Sequence, residues 1–287
     1  MVFLHGMAGF VEAGAEPFER AYFAGVAAAL VAVGEENVYF ARISPYADSL
    51  ARAAQIAPQL DEILARTGAA KVNLVAHSQG GLDARILASP AGAGYSDRIA
   101  SVSTVSTPHL GTKVADLALR ALGNAAPSRL DPVVEAFVAW LGYNVYDLDA
   151  EAASDLRAQL RDLSEGNAAQ FNARYLDAPG VLYESYAGRT NLRIGNSACA
   201  GSVFANQTNR VDPTSPALQL TATYLEGNPF DPEVNDGLVT VRSARWGTFV
   251  QCVPADHLDE MGQNLGVLFD APRFYVELVA RLRSRGY

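Results

Sequence analysis

The segment "NLVAHSQGGLDARIL", residues 73 to 87, limits the possible fold more than any other part of the sequence. Its apolar first half is typical of a buried strand, and the apolar spacing of its second half is typical of a helix. Only a sharp turn fits between them, and Ser78 stands in that turn. Ala76 and Gly80 supply the small residues that such a turn needs, because backbone passes close on both sides. We predict a serine hydroxyl that is pushed outward; the alternative is a serine that caps an ordinary helix.

Composition narrows the class of protein. The chain has 287 residues, of which 49% are hydrophobic, and this is enough for one domain with a large core. The net charge of -9 argues against a nucleic-acid partner. No apolar run is long enough to predict a transmembrane segment. A predicted core strand follows Met1 directly. If the protein is exported, we expect that an export segment preceding this strand has been lost or removed.

Strand-like and helix-like segments alternate along the chain, which predicts a mostly parallel sheet with helices on both faces. The predicted strands are residues 1–4, 37–43, 72–75, 99–107, 181–188 and 237–241. Predicted helices have apolar stripes at Phe18, Tyr22, Phe23, Val26 and Leu30, and at Leu50, Ala54, Ala57, Leu60 and Leu64, and a last helix covers residues 272–284. Gly68 is expected to end the second of these helices.

The alternation stops after Gly111, and residues 112–170 contain no convincing strand. We therefore predict a helical cap or lid insert over about 112–170, within a single domain of residues 1–287. One amphipathic helix in the insert has a stripe of Val133, Val134, Phe137, Val138 and Leu141. The alternative is a fixed core helix whose stripe packs permanently on the sheet.

A serine hydroxyl is a poor nucleophile until a base takes its proton, and the base is usually a histidine that a carboxylate orients. In α/β-hydrolases, where a strand-to-helix turn holds the serine, the chain order is serine, acid, histidine. Among the four histidines, only His257 lies late enough to follow both other groups. We expect His77 to point away from the serine, and His5 and His109 to hold loops at strand ends.

The acid must lie between the serine and His257. Asp236 in "VNDGLVTV" is the preferred candidate, because Gly237 allows a tight turn into an apolar segment. Asp231, in the proline-rich loop "NPFDPE", is the rival. Taken alone, "NDG" is equally typical of a simple hairpin turn.

An ester hydrolase also needs backbone N–H groups to stabilise the developing oxyanion. The residue after the nucleophile, Gln79, supplies one such group. "FLHGMAGF" predicts the second donor at Met7, with Gly6 and Gly9 allowing backbone to approach the substrate. The alternative is a glycine-rich turn with a purely structural role.

The cysteine count leaves the redox compartment open. Cys199 and Cys252 are the only two cysteines. One pair suits a single disulfide in an exported protein, or two reduced core thiols in a cytosolic one.

With these motifs in place, the chain resembles the bacterial calcium-dependent triacylglycerol lipases, a secreted α/β-hydrolase family whose members often need a dedicated foldase. The resemblance covers most of the chain and is strongest at the segment around His257. The matching segments are "FLHGMAGF", "KVNLVAHSQGG", "VSTPHLGTKVADL", "LSEGNAAQFNARY", "VDPTSPAL", "NDGLV" and "DHLDEMGQNLG".

The resemblance implies roles for particular residues. It implies Ser78 as nucleophile, Asp236 as acid, His257 as base, and Met7 and Gln79 as oxyanion donors. It also implies one structural calcium ion, a cis peptide between Gln263 and Asn264, and a secreted or periplasmic protein that acts at a lipid–water interface with a possible foldase partner. The implied calcium ligands are Asp212, Asp259, Gln263 and Val267.

The sequence departs from the family at three places. Ala76 stands where the family usually has glycine, although another lipase group has alanine there. The region from Arg189 to Thr208 has no clear counterpart, and a Cys199–Cys252 disulfide would be this protein's own arrangement.

From the predicted residues and the resemblance, we expect a triacylglycerol lipase, with a carboxylesterase or polyester hydrolase as the alternative. A non-catalytic binding protein on the same fold is the remaining possibility.

Overall fold

The computed structural model describes residues 1–9, 22–123, 150–190, 199, 213–228, 230–263 and 269–287. The predicted lid stripe from Val133 to Leu141 lies outside these residues, as do Asp212, Val267 and the peptide bond into Asn264. No described helix is long and apolar enough to cross a membrane.

Six parallel strands form the central sheet, and they confirm the predicted fold class. The strands are β1 (Val2–Leu4), β2 (Tyr39–Phe40), β3 (Val72–His77), β4 (Ile99–Val105), β5 (Leu182–Gly188) and β6 (Thr248–Val253). They lie in the order β2-β1-β3-β4-β5-β6. In such a sheet the loops that follow the strands gather at one edge, which brings distant parts of the chain together.

Nine α-helices fall within the described residues. They are α1 (Val26–Ala32), α2 (Ser49–Thr67), α3 (Gly80–Ala88), α4 (Lys113–Gly123), α5 (Ala150–Leu163), α6 (Glu165–Arg174), α7 (Gln219–Glu226), α8 (Val241–Ala244) and α9 (Ala271–Ser284). The sheet is covered on both faces, because all three consecutive residues of β1 are buried although neighbours in a strand point to opposite faces. Phe3 contacts Tyr275 of α9 on one of these faces.

Helix α2 carries a buried arginine, Arg52, whose guanidinium pairs with the buried Asp83 carboxylate over 2.8 Å. Gly68 ends the helix as predicted, in the left-handed conformation with φ of 67°. The predicted stripe is wrong at Leu50, which is 50% exposed, and at Ala54, which is also exposed, whereas Leu60 is buried as predicted. The buried face instead contains Ala53, Ile56, Leu60 and Ile63, together with Arg52. Since an arginine is an unusual core residue, its presence hid the true face of the helix.

The strand predicted at 237–241 is also wrong. Asn235 and Thr240 form an isolated antiparallel bridge that closes a tight turn, and α8 begins at Val241. The N–H groups of Leu238 and Val239 bond to the side chain of Asp236. A side chain that captures these donors leaves them unavailable to a strand ladder. The sixth strand is β6, which lies further along the chain.

Candidate active site

Ser78 lies in a sharp turn between β3 and α3. Its φ of 55° belongs to the left-handed region, which is uncommon for a residue with a side chain and marks local strain. The Ser78 N–H bonds to the Val105 carbonyl over 2.9 Å, which ties the turn to β4. A Cβ at Gly80 would lie 2.6 Å from the Leu4 carbonyl oxygen, so only glycine fits at this close approach. The turn therefore has the strained, closely packed form that the sequence predicts.

Asp236 and His257 are joined by a short hydrogen bond. Asp236 Oδ2 lies 2.7 Å from His257 Nδ1, and the His257 N–H donates to the Asp236 carbonyl over 2.9 Å. The other carboxylate oxygen accepts the N–H groups of Leu238 and Val239, over 2.8 and 2.6 Å. Because this carboxylate accepts from Nδ1, the tautomer with a proton on Nδ1 leaves His257 Nε2 free to act as a base.

The structure brings one of the two candidate acids into contact with His257. Asp236 is fully buried and touches His257, whereas Asp231 is exposed. The "NDG" segment is indeed closed like a hairpin turn, and Asp236 lies in that turn.

Ser78 and His257 open onto one small cavity. It has a volume of about 20 Å³, which is space for about one water molecule. Its lining is mainly apolar and consists of Met7, Ser78, Pro108, Thr112, Val114, Ala115, Leu163, Leu238, Val239 and His257. The structure thus brings the predicted nucleophile, base and one oxyanion donor to the same space, while their catalytic roles stay predictions.

The two predicted oxyanion donors are Met7 and Gln79. Among the described residues, neither backbone N–H donates to a backbone carbonyl. The neighbouring N–H groups are occupied, because Gly6 donates to the Tyr22 hydroxyl and Ala8 donates to the Pro45 carbonyl. Gln79 stands at the start of α3, where N–H groups point out of the helix toward an anion. Both donors therefore fit the predicted role.

His77 belongs to a buried polar network next to His257. Its Nδ1 lies 2.6 Å from the Tyr22 hydroxyl, and its Nε2 lies 2.9 Å from Glu260 Oε2. Ser106 donates to the other Glu260 oxygen over 2.7 Å. Burial lowers the pKa of His77 well below its usual value and raises the pKa of Glu260 well above its own, to which the nearby Asp236 charge adds. The sequence analysis named Tyr22 only as part of a helix stripe and gave no role to Glu260, although Glu260 lies in the "DHLDEMGQ" segment.

His77, His257 and Glu260 are of metal-ligating types, and one ligand atom of each lies within 4.8 Å of the others. Both ring nitrogens of His77 already have partners, and so has Nδ1 of His257. A cation between them would also compete for His257 Nε2, the nitrogen that is predicted to serve as base. The three side chains therefore fit a hydrogen-bonded network better than a metal site.

The predicted calcium ligands are only partly described. Asp259 is buried, two residues after the base, and Gln263 follows at the end of the same short turn. Asp256, which the sequence reasoning missed, accepts the Asp259 N–H over 3.0 Å and the Ser215 N–H over 2.6 Å. Ser215 follows Asp212 by three positions, so the turn beside the base holds the segment that follows this predicted ligand.

Cys199 and Cys252 are joined by a disulfide, with their Cα atoms 5.6 Å apart. Of the two alternatives that the sequence left open, a disulfide and two reduced thiols, the structure has the disulfide. Cys252 lies on β6, and His257 follows in the loop after this strand. The bridge therefore anchors the strand that leads into the base.

Comparison with known proteins agrees with this geometry. A family model described as alpha/beta hydrolase fold matches residues 1–175. A triacylglycerol lipase of Pseudarthrobacter phenanthrenivorans is 30% identical, over 93% of this chain and 89% of the relative. One of Vibrio cholerae is 30% identical, over 100% of this chain and 88% of the relative.

Solved structures share the fold. The Staphylococcus hyicus lipase aligns with a TM-score of 0.63 and 18% identity, over 98% of this chain and 94% of that one. The mature Bacillus licheniformis lipase aligns with a TM-score of 0.60 and 24% identity, over 92% of this chain and 86% of that one. From the matched family model, the similar lipases and the shared fold, we conclude that the chain belongs to the α/β-hydrolase fold family and is a carboxylic ester hydrolase.

Proposed function

We propose that this protein is a triacylglycerol lipase that works by acyl transfer through Ser78, His257 and Asp236. The observation that carries the proposal is the Asp236–His257 hydrogen bond of 2.7 Å beside a cavity that the strained Ser78 also lines. The lipase relatives support the substrate class. The residues around Ser78 and His257 are mainly apolar, which suits the acyl carbons next to the ester carbonyl, although the cavity itself holds only about one water molecule.

In the proposed reaction, Ser78 Oγ attacks the ester carbonyl carbon while His257 Nε2 takes the serine proton. The carbon–oxygen bond to the alcohol then breaks, the alcohol oxygen takes the proton from His257, and the acyl group stays on Ser78. In the second half of the reaction, a water molecule attacks the acyl carbonyl carbon while His257 Nε2 takes its proton. The bond to Ser78 Oγ then breaks, the serine oxygen takes the proton back, and the fatty acid is released. The Asp236 carboxylate stabilises the imidazolium that forms in each half, and the N–H groups of Met7 and Gln79 stabilise the oxyanion.

We also propose a structural calcium ion held by Asp259 and Gln263 together with Asp212 and Val267. The buried carboxylate of Asp259 and the bond from Ser215 to Asp256 support this ligand set. Calcium prefers oxygen ligands, so these carboxylates and backbone carbonyls suit it. A bound ion would neutralise buried acidic charge beside His257 and hold the loop that carries the base.

A secreted or periplasmic location is the part of the proposal that the disulfide supports, because disulfides persist in oxidising compartments. The foldase partner and the helical lid stay predictions from the sequence. For the lid, Phe137→Asp should weaken activity on emulsified triglyceride far more than on a soluble ester. Parallel loss on both substrates, with a lower melting temperature, would indicate a fixed core helix instead.

The decisive experiment combines a serine-directed fluorophosphonate with two substrate forms. We expect the probe to modify Ser78 and no residue of the Ser78→Ala variant, and we expect hydrolysis of tributyrin to rise sharply above its solubility limit. Labelling without such a rise would identify a carboxylesterase or polyester hydrolase. Failure of the probe to label the folded protein would indicate a non-catalytic binding protein.

A further inference from the structure

The side-chain amide of Gln159 lies behind both predicted oxyanion donors. Gln159 is a fully buried residue of α5. Its Nε2 donates one hydrogen bond to Gln79 Oε1 over 2.7 Å and another to the Pro45 carbonyl over 3.0 Å. Both N–H bonds of one amide group are therefore used, and each reaches a different loop of the site.

The first of these two hydrogen bonds restrains Gln79 through its side-chain amide. Gln79 Nε2 donates to the Ala47 carbonyl over 2.9 Å and to Ser49 Oγ over 3.3 Å, while its Oε1 accepts from Gln159. An amide held at both its oxygen and its nitrogen restricts rotation of the residue that carries it. The direction of the Gln79 backbone N–H, the first predicted oxyanion donor, is restricted with it.

The second bond secures the loop of Met7. The Pro45 carbonyl that accepts from Gln159 also accepts the Ala8 N–H over 3.0 Å. Ala8 has φ of 57°, a conformation that alanine rarely adopts without outside support. Holding Ala8 fixes the preceding peptide unit, and with it the position of Met7. Gln159 thus reaches the second predicted donor through a single carbonyl.

The orientation of the Gln159 amide is determined by its neighbours. A flipped amide would place its oxygen against Gln79 Oε1 and the Pro45 carbonyl, which are both acceptors. In the observed orientation Gln159 Oε1 is buried and has no hydrogen-bond partner within the described residues.

From these contacts we infer that Gln159 is a positioning residue for the oxyanion hole, which holds the N–H groups of Met7 and Gln79 at the same time. This inference rests on the proposed function, which assigns those two donors. Gln159 does not line the cavity of Ser78 and His257, so it acts through the donors and not on the substrate. The oxyanion develops only on the way through the transition state and is absent from the bound substrate. Loss of the Gln159 amide should therefore lower kcat and leave KM nearly unchanged.

The test replaces Gln159 with methionine, an unbranched apolar side chain of similar length. We expect Gln159→Met to lower kcat on a soluble p-nitrophenyl ester about tenfold, with KM changed by less than about twofold. Inhibition by an alkylboronic acid, whose serine adduct places an oxygen in the oxyanion hole, should weaken by about the same factor. Leu160→Ala, at the next buried position of α5, is the control: it should lower the melting temperature but retain kcat and the inhibition constant.

A second variant keeps the test decisive if Gln159→Met does not fold. Gln159→Glu places a carboxylate against two acceptors, so its kcat relative to the parent should be lowest at alkaline pH. The ratio should recover as the pH falls, because a protonated carboxyl can again donate one bond.

The outcomes separate this inference from the proposed function. A parent enzyme that neither hydrolyses esters nor reacts with a fluorophosphonate would overturn the proposed function itself. An active, labelled parent whose Gln159→Met variant keeps its kcat and boronic acid affinity would overturn only the role of Gln159. That role would also be refuted if Leu160→Ala reproduces the selective loss, or if the Gln159→Glu ratio does not change with pH.

Discussion

The nucleophile side and the base side of the site are built in different ways. Ser78 lies between two regular elements, β3 and α3, whose backbone groups bond mostly within the sheet and the helix. Asp236 and His257 lie in irregular loops whose N–H groups bond to buried carboxylates. Regular structure satisfies its own backbone, whereas an irregular loop must find other acceptors. We therefore expect the base side to depend on charge and cross-links far more than the nucleophile side does.

The largest expected effect tests the nucleophile. Ser78→Ala should reduce kcat by about 10⁶-fold, because no other group can form the acyl intermediate. The melting temperature should not fall, since the turn is held by backbone bonds and not by the hydroxyl. Ser103→Ala is the matched control, because this buried hydroxyl on β4 has no partner among the described residues. Near-normal turnover in Ser78→Ala would refute the whole mechanism.

The next effect tests the acid on the base side. Asp236→Asn should lower kcat about 10⁴-fold, because a neutral amide neither selects the required tautomer of His257 nor stabilises its cation. Steady-state kinetics on a soluble ester measure this. Asp231→Asn removes an exposed carboxylate and should leave kcat unchanged. An equal loss in Asp231→Asn would mean that Asp231 acts in catalysis.

Calcium removal should distinguish the two sides most directly. We expect Asp259→Asn to weaken calcium binding about 10–100-fold or more, and chelation of the parent to lower its activity. Hydrogen exchange followed by mass spectrometry should then show faster exchange over 254–263 and unchanged exchange over 72–88. Asp97→Asn, which removes an exposed acid just before β4, is the control. Unchanged activity and exchange after chelation would contradict a calcium role.

The smallest effect on turnover concerns the disulfide. Replacing Cys199 and Cys252 with serine should lower the free energy of unfolding by about 2–4 kcal/mol, because the bridge closes a long loop. Denaturant titration measures this loss. The folded variant should keep kcat within about twofold, since the bonds from Asp236 to the base remain. A large fall in kcat without loss of stability would show that the bridge positions His257.

How much of the site could be predicted depended on how far apart in the sequence the contacting residues lie. The turn at Ser78 was predictable because a strand, a small residue, a serine and a glycine lie within a few positions. The bond from His77 to Glu260 spans 183 positions, and no local pattern indicates it. Strand β6 was missed because only its second half is buried, which weakens the apolar signal. Gln159 gave no signal, since glutamine in a helix is ordinarily a surface residue.

The sequence by itself determined the order of the chemical groups, the turn at Ser78 and the only possible cysteine pair within the chain. These follow from local sterics and from counting, which need no knowledge of distant contacts. The tertiary structure alone decided that Asp236 and not Asp231 meets His257, that Arg52 is buried, and that Gln159 reaches two loops at once. The physical reason is that burial and hydrogen-bond partners depend on which segments the parallel sheet brings to one edge, and that placement is a property of the whole packed chain.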